Sequence, residues 1–307
     1  NGLRKGKILV VGSTNTDMVV RTERLPRPGE TVLGGTFLMN PGGKGANQAV
    51  AAARLGADVI FVCKTGNDMF GITTRQQLAQ EGIDTRFVFI DDHNPSGVAL
   101  ISVDSRAENT IVVASGANAN LLPLDVAKAE TALDDCDIVL MQLETPMTTI
   151  EYVAAEAAKR GKRTVLNPAP GAALSPQLLK SLYLITPNET EAEIITGIRI
   201  HNAETEAEAA RSIRAMGVQN VIITLGSRGA YICNDRFDEA VPAQKVRAVD
   251  TTAAGDVFNG ALVVALSEGK SLEEAVRFAS RASAISVTRM GAQSSIPYRS
   301  EVDRFVP

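Results

Sequence analysis

The chain has 307 residues, of which 45% are hydrophobic, and its formal net charge is −4. This length suits one large α/β domain with a substantial core, and no apolar run reaches about 18 residues, so no membrane-spanning helix is expected. Aromatic residues make up only 4% of the chain and no long basic run occurs, which argues against a nucleic-acid-binding surface.

The sequence features that report on the cellular compartment predict a cytoplasmic protein. Residues 1–7 contain no apolar segment of the kind found in signal peptides. The three cysteines, Cys63, Cys136 and Cys233, lie far apart, and each falls in or beside an apolar run. We therefore expect buried, reduced thiols. The only two histidines are also far apart, which leaves little material for a zinc site or a histidine-based triad.

Two β-rich segments interrupt the first half of the chain. A buried strand is predicted at 7–12, and short apolar runs separated by turn residues follow from about 15 to 40 and again from about 96 to 114. We expect these two segments to form one small sheet of about four strands.

The rest of the chain alternates between strand-like apolar runs and helical patterns. Strands are predicted at 58–62, 137–141, 164–166, 182–185 and 221–225, with an antiparallel return at 230–233. Helices are predicted at 45–55, 70–80, 149–159, 206–216, 255–268 and 272–287, and one more after Asn188. This order is typical of a single α/β domain, here residues 1–307, with a doubly wound, mostly parallel sheet and helices on both faces.

In such a fold, the loops that follow the parallel strands meet at one edge of the sheet. Polar residues or glycines follow the predicted strands at Gly12, Gln142 to Glu144, Asn167, Asn188, Gly226 and Asp250. We expect them to converge on this edge.

A glycine cluster, Asn40–Gln48, leads into the first predicted helix. The Walker A pattern fails because Leu38 and Gly45 occupy positions that need Gly and Ser or Thr, and the dinucleotide fingerprint fails at Gln48. Ordinary turn chemistry is one explanation of the glycines. Alternatively, backbone N–H groups, the ammonium of Lys44 and a carboxamide present donors to a polyhydroxy ligand.

Three polar residues near predicted strand ends have two interpretations. Asn15, Asp17 and Glu144 are each typical of solvated loops. Brought to one edge, however, their amide and carboxylate groups would suit a sugar, whose hydroxyls need both donors and acceptors.

Two further loops are ambiguous in the same way. In Asn188–Glu191, asparagine is a good helix N-cap and the glutamate three residues later completes a capping box, but the pair could also organise a magnesium–nucleotide site through water. Thr224–Gly229 could be a tight turn, or its N–H groups and hydroxyl could hold a nucleotide phosphate.

The strongest signal is the loop Asp250–Asp256, which comes just before a helix. The small residues Ala253, Ala254 and Gly255 allow an anion to approach the backbone, and the helix dipole favours negative charge there. Asp256 could simply complement the dipole, or it could accept the proton of an attacking hydroxyl. This arrangement indicates phosphoryl transfer, with the N–H groups stabilising the transferred group.

The glycine cluster and the Asp250–Asp256 loop resemble the two signatures of the ribokinase (PfkB) family of carbohydrate kinases, and Asn188–Glu191 is similar to its NxxE motif. The resemblance covers essentially the whole chain. It implies ATP-dependent phosphorylation of D-ribose at O5, which gives D-ribose 5-phosphate and ADP. It also implies that the small sheet acts as a lid over the sugar and as a homodimer interface.

Carried over by position, the resemblance assigns Asp256 as the base and Ala253, Ala254 and Gly255 as the anion hole. The ribose-binding residues that it implies are Asn15, Asp17, Gly43, Lys44, Asn47, Glu144 and Asp256. The ATP-binding residues that it implies are Asn188, Thr224, Gly226, Ser227, Gly229, Gly255 and Ser280.

The resemblance further implies Mg²⁺ bound with ATP, held by Glu191 through water, and a monovalent cation, K⁺, beside the anion hole. The cation positions, several of them through backbone carbonyls, would be Asp250, Thr252, Ser286, Arg289, Gly291 and Ser295. Two alternatives stay open. One is a kinase of the same fold for another sugar or a nucleoside, because site loops rather than fold fix specificity. The other is a non-catalytic sugar-binding dimer.

Overall fold

The computed structural model describes residues 5–306, so most of the opening segment lies outside the described residues. The strands, in chain order, are β1 (Lys7–Val11), β2 (Asn15–Arg21), β3 (Thr36–Gly42), β4 (Asp58–Gly66), β5 (Val88–Asp91), β6 (Gly97–Val103), β7 (Asn109–Ala114), β8 (Ile138–Met141), β9 (Arg163–Leu166), β10 (Leu184–Ile185), β11 (Asn220–Thr224), β12 (Ala230–Cys233) and β13 (Asp238–Val241).

The α-helices, in chain order, are α1 (Lys44–Arg54), α2 (Met69–Gln80), α3 (Pro123–Ala127), α4 (Glu130–Asp135), α5 (Met147–Lys159), α6 (Pro176–Ser181), α7 (Glu189–Thr196), α8 (Ala203–Ala215), α9 (Ala254–Ser267), α10 (Leu272–Val287) and α11 (Arg299–Asp303). Short 3₁₀ turns occur at Gly116–Asn120, Gly226–Arg228 and Gln293–Ser295. Within residues 5–306, no helix has the length and hydropathy of a membrane span.

Nine strands form the large sheet, in the order β13-β12-β11-β10-β9-β8-β1-β4-β5. Every neighbouring pair from β11 to β5 is parallel, whereas β12 and β13 are antiparallel, as predicted for 230–233. Because successive side chains of a strand alternate between the two faces, Ile8 and Val10 of β1 pack in the core with α1, α9 and α10, while Leu9 and Val11 pack with α5 and α8. The doubly wound α/β fold is thus confirmed.

A separate four-stranded sheet, in the order β3-β2-β6-β7, lies beside the large one. The two β-rich segments of the sequence pair with each other through the parallel contact of β2 with β6, and each adds one antiparallel neighbour. All of β7 is exposed. The small sheet predicted from the sequence is therefore present.

The structure corrects several predicted boundaries. The helix predicted at 206–216 begins at Ala203, because the side chain of Asn202 caps it by accepting from the Thr205 N–H. Elements too short to give a periodic pattern, such as β5, β13 and α3, had no signal in the sequence. The three cysteines are buried and free, as expected.

Candidate active site

The loop Asp250–Asp256 lies between β13 and α9, and hydrogen bonds at its first residue hold it in place. Asp250 accepts at Oδ1 from the N–H (2.9 Å) and hydroxyl of Thr252, and at Oδ2 from the N–H of Gly291 at 2.9 Å. Burial alone would raise the pKa of Asp250, but these bonds outweigh it and hold the pKa below its usual value.

The end of the loop forms the first turn of α9 and leaves space in front of it. Ala253 is the N-cap of α9 and is buried. A Cβ built at Gly255 would meet no atom within 4 Å. The Ala254 N–H donates to Thr251 O at 3.1 Å, and the open space at Gly255 lies at the helix start, where an anion is favoured.

Asp256 is buried in the first turn of α9. Its Oδ2 accepts from Asn47 Nδ2 and its Oδ1 from Gln48 Nε2, both at 3.0 Å. Burial raises its pKa, against the opposing effects of Lys44 and the two amides. A carboxylate with a raised pKa, held by neutral donors, is suited to accept a proton.

The glycine cluster brings the start of α1 against the end of β1. Gly43 has φ +89°, and a Cβ there would lie 2.9 Å from the backbone N of Asn15. The Lys44 N–H donates to Glu144 Oε1 at 2.8 Å, and the Ser13 hydroxyl donates to the same oxygen at 2.7 Å. Glu144 is therefore fixed next to the helix start.

Asn15 and Asp17 enter the same region from β2. Asn15 Oδ1 accepts from Asn118 Nδ2 at 2.8 Å. Burial, followed by the charges of Glu144 and Asp256, raises the pKa of Asp17 to about 6. A Cβ at Gly42 would lie 2.4 Å from Asp17 Oδ2, so glycine at 42 leaves the room that this carboxylate occupies.

Electrostatic coupling shows which predicted residues come together. The charges of Lys44 and Glu144 affect the pKa of Asp256, and the charges of Glu144 and Asp256 affect the pKa of Asp17. Charged residues of the glycine cluster, of β2 and of the loop after β8 therefore lie near Asp256, and we call this group of polar side chains the polar pocket.

On the other side of α9, a cavity of about 760 Å³ opens. It is lined by all seven predicted ATP-binding residues, Asn188, Thr224, Gly226, Ser227, Gly229, Gly255 and Ser280. Its volume is in the range of small-molecule sites. Gly255 lies in its wall, directly before Asp256, so the cavity and the polar pocket meet at this turn.

Asn188 and Glu191 form a reciprocal capping box at the start of α7. Asn188 Oδ1 accepts from the Glu191 N–H at 2.8 Å, and Glu191 Oε1 accepts from the Asn188 N–H at 3.0 Å. Burial raises the pKa of Glu191, against the Asn188 hydrogen bond and the charge of Lys44. The capping interpretation holds, and the neighbouring Asn188 and Glu189 line the large cavity.

The residues predicted to hold a monovalent cation belong to segments that contact each other. The Asp250 N–H donates to Val287 O at 3.0 Å, and the hydroxyls of Ser286 and Ser295 are 2.9 Å apart. Arg289 pairs through its side chain with Glu301. In residues 5–306, no cluster of three or more His, Cys, Asp or Glu side chains could hold a metal ion.

Sequence reasoning assigned no role to the buried polar side chains that lie behind this site, although it placed Gln142 and Asn167 at the same edge of the sheet. One hydrogen-bonded network joins Gln48, Gln142, Asn167, Thr186 and Asn259, and Gln293 is linked to it through Asn47 and Asp256. Asn118 forms a separate group with Thr14 and Asn15. Asn259, one turn after Gly255, donates to its carbonyl at 2.8 Å. The only available signal was the position of Gln142 and Asn167 directly after predicted strands.

A nucleotide-sized cavity that reaches Gly255 and a polar pocket that contains the next residue, the buried Asp256, are typical of an α/β small-molecule kinase. The model of the pfkB family of carbohydrate kinases matches residues 5–299. The chain belongs to the pfkB family of carbohydrate kinases.

Individual relatives are similar over nearly the whole chain. A ribokinase of Haemophilus influenzae is 46% identical over 97% of this chain and 98% of its own length. A deoxyribokinase of Salmonella typhi is 38% identical over 94% and 95%. The structure of Arabidopsis thaliana ribokinase complexed with ribose and ATP superposes with a TM-score of 0.91, at 33% identity, covering 98% of this chain and 100% of that chain.

Proposed function

We propose that the protein transfers the γ-phosphoryl group of ATP to O5 of D-ribose and releases D-ribose 5-phosphate and ADP. The observation that carries this proposal is the position of Asp256, at the base of the polar pocket and one residue from the wall of the large cavity. Membership of the carbohydrate kinase family and the similarity to ribokinases support the choice of substrates.

In this proposal ribose occupies the polar pocket. Asn15, Asp17, Gly43, Lys44, Asn47 and Glu144 supply the donors and acceptors that its hydroxyls need. The fixed orientation of Glu144, held by Ser13 and by the Lys44 N–H, would orient the sugar. O5 then faces Asp256.

Asp256 acts as the general base. As the bond between O5 and the γ-phosphorus forms, the proton of O5 passes to Asp256, and the bond from phosphorus to the β–γ bridging oxygen breaks to leave ADP. The N–H groups of Ala253, Ala254 and Gly255 stabilise the charge on the transferred group, because they lie at the positive end of the α9 dipole.

ATP occupies the cavity lined by Asn188, Thr224 and Gly255. Mg²⁺ bound with ATP would neutralise phosphate charge, and Glu191 would hold it through water. Its carboxylate fits this role because carboxylate oxygens suit Mg²⁺ and because it caps the helix that begins beside Asn188, a residue of the cavity wall. Ser280 lines the same cavity and would contact the nucleotide.

K⁺ is proposed beside the anion hole, at Asp250, Thr252, Ser286, Arg289, Gly291 and Ser295. Oxygen donors suit such an ion, and the hydrogen bonds between these segments bring their backbones together. A bound ion would stabilise the loop that carries Ala253–Gly255. We expect faster turnover in K⁺ than in buffer free of K⁺ and Na⁺, measured at fixed ionic strength; equal rates would exclude the cation.

The base assignment is tested by Asp256→Asn. We expect kcat to fall by roughly 10³-fold, because a carboxamide cannot accept the proton, while calorimetry still detects ribose binding. Asp235→Asn, at an exposed turn, is the control for the loss of one carboxylate. Retained turnover in the Asp256 variant would contradict the assignment.

One relative, the deoxyribokinase, favours 2-deoxy-D-ribose as a second candidate substrate. The two sugars differ only in the 2-hydroxyl, so discrimination depends on whether a pocket group is left unpaired without it. We expect a higher kcat/KM for ribose. A higher value for 2-deoxy-D-ribose would favour the second candidate.

A further inference from the structure

We propose that Gln142 and Gln293 are positioning residues that fix the polarity of the two side-chain amides donating to Asp256. This inference rests on the proposed function, because it concerns the base of the proposed reaction. An amide has a donor end and an acceptor end, so its helpfulness to a carboxylate depends on which end faces it. Each of the two amides beside Asp256 has a glutamine behind it that determines this choice.

The first pair is Gln142 and Gln48. Gln142 Nε2 donates to Gln48 Oε1 at 2.7 Å. The acceptor end of Gln48 is therefore occupied, and its Nε2 donates to Asp256 Oδ1 and to Asn167 Oδ1, both at 3.0 Å. Turning the Gln48 amide over would place its oxygen against two other acceptors, Asp256 Oδ1 and Asn167 Oδ1. Gln142 thus keeps the donor end of Gln48 towards Asp256.

Gln142 keeps this orientation although one of its polar atoms has no hydrogen-bond partner among residues 5–306. Its side chain is 1% exposed, and its Oε1 has no hydrogen-bond partner among residues 5–306. A buried amide oxygen without a partner is unfavourable. Gly12 provides the space, since a Cβ there would lie 2.3 Å from Gln142 Oε1. A core that needed only packing would not favour a glutamine here.

The second pair is Gln293 and Asn47, on the other side of the carboxylate. Gln293 Nε2 donates to Asn47 Oδ1 at 3.1 Å, and Asn47 Nδ2 donates to Asp256 Oδ2 at 3.0 Å. The backbone of Gln293 is itself fixed, because Arg54 donates to its carbonyl at 2.9 Å and to that of Ile296 at 3.0 Å. Gln293, which is distant in sequence from Gln142, therefore keeps the donor end of Asn47 towards Asp256 in the same way.

The charged groups that face Asp256 are Lys44 from α1, Glu144 from the loop after β8 and Asp17 from β2. Substitutions at Gln142 and Gln293 leave all three in place. The methionine variants add no charge, so a change in the pH dependence of their turnover reports on the amides.

The first test uses Gln142→Glu and Gln142→Met. An ionised glutamate at 142 cannot donate, so Gln48 turns its NH₂ towards it and its oxygen towards Asp256. Methionine removes the hydrogen bond that orients the Gln48 amide. With the donor lost, the anionic base is less stable, so we expect the acid limb of the kcat profile to move to higher pH and kcat at neutral pH to fall about tenfold in the glutamate variant. The methionine variant should show a smaller change in the same direction. KM for ribose should change less than kcat, because Asp256 is the only residue proposed to bind ribose to which the Gln48 side chain donates.

The second test applies the same substitutions at Gln293, at saturating K⁺. Because Asn47 is also proposed to bind ribose, KM should rise together with the shift in pH profile. Gln177→Glu, exposed on α6, makes the same substitution outside both hydrogen-bonded pairs and should match the wild type.

If the wild-type protein is active and the Met variants fold but keep the wild-type kcat and pH profile, the positioning role is overturned and the proposed function stands. If the Glu variants do not fold, the Met variants decide. Wild-type protein without ribose-dependent ADP formation would remove the proposed function and, with it, this inference.

Discussion

The side chain of Asp17 has a proposed binding role that lowers the stability of the folded state. Burial, with the charges of Glu144 and Asp256, raises its pKa to about 6, so the folded state binds more protons than the unfolded state between the ordinary value of 3.8 and about 6. Stability therefore falls as pH rises through this window, and the full cost is present above it. A group that destabilises the fold at neutral pH fits a binding role better than a structural one.

We expect Asp17→Asn to raise the free energy of unfolding at pH 8 by about 2 kcal/mol, with the gain disappearing below about pH 4. The same change should raise KM for ribose, because a carboxylate acceptor is lost. Denaturant titrations at both pH values and steady-state kinetics measure the two effects, with Asp235→Asn as the control. A variant without added stability at pH 8 would contradict the account of Asp17.

The sequence carries a local signal for the ionisable residues proposed for the site, but not for the amides behind them. Lys44 and Asp256 stand in short motifs with glycines, where local spacing carries the signal. Gln142 and Gln293 lie 151 positions apart by number and meet the site only through folding. A buried glutamine has no local pattern that separates it from a solvated one.

Among the secondary-structure elements, the turn into α1 shows most clearly how a glycine shapes the site. Gly43 and Gly269 both have φ +89°, but a Cβ at Gly43 would lie 2.9 Å from Asn15 N, while one at Gly269 would meet nothing within 4 Å. Alanine at either position incurs the strain of left-handed backbone, roughly 1–2 kcal/mol. Only at Gly43 must the strand carrying Asn15 also shift.

Gly43→Ala should therefore raise KM for ribose about tenfold or more, in addition to lowering stability. Gly269→Ala is its matched control and should lower stability alone. Thermal unfolding and kinetics of both variants separate the two effects. Equal KM values would mean that the turn does not shape the pocket.

The boundaries of helices could be predicted where a capping residue or a glycine lies next to the helix end in the sequence. Helix α10 begins at Leu272 as predicted, with Ser271 Oγ accepting from the Glu274 N–H at 3.2 Å. Strand β5 was missed because its four residues pair only with the end of β4, a contact that no local pattern reports.

At the scale of the whole molecule, one face of the small sheet is apolar and exposed. Residues directly opposite each other across strands share a face, and the pairs Val20–Phe37, Met18–Met39, Met18–Leu100 and Leu100–Val112 lie on one side. Their exposed members are Val20, Phe37, Met39, Leu100 and Val112. Asp17 points to the opposite side, towards the polar pocket. We propose that this apolar face pairs with a second copy and that the sheet acts as a lid over ribose.

Val112→Glu should dissociate the proposed dimer, because it buries an unpaired charge in the interface. Ile194→Glu changes a similarly exposed apolar residue on α7 (46% exposed) and is the control. Sedimentation velocity measures both. A monomeric wild type, or a dimer that survives Val112→Glu, would contradict the pairing.

The central claim, that Asp256 joins a ribose pocket to an ATP cavity, is tested most directly by ribose-dependent ADP formation. Wild-type protein with ATP, Mg²⁺ and K⁺ is assayed against a panel of pentoses, hexoses and nucleosides, beside the Asp256→Asn variant. We predict the highest kcat/KM for D-ribose and near-complete loss in the variant. ADP formation that does not depend on any sugar, or an equal rate in the variant, would contradict the claim.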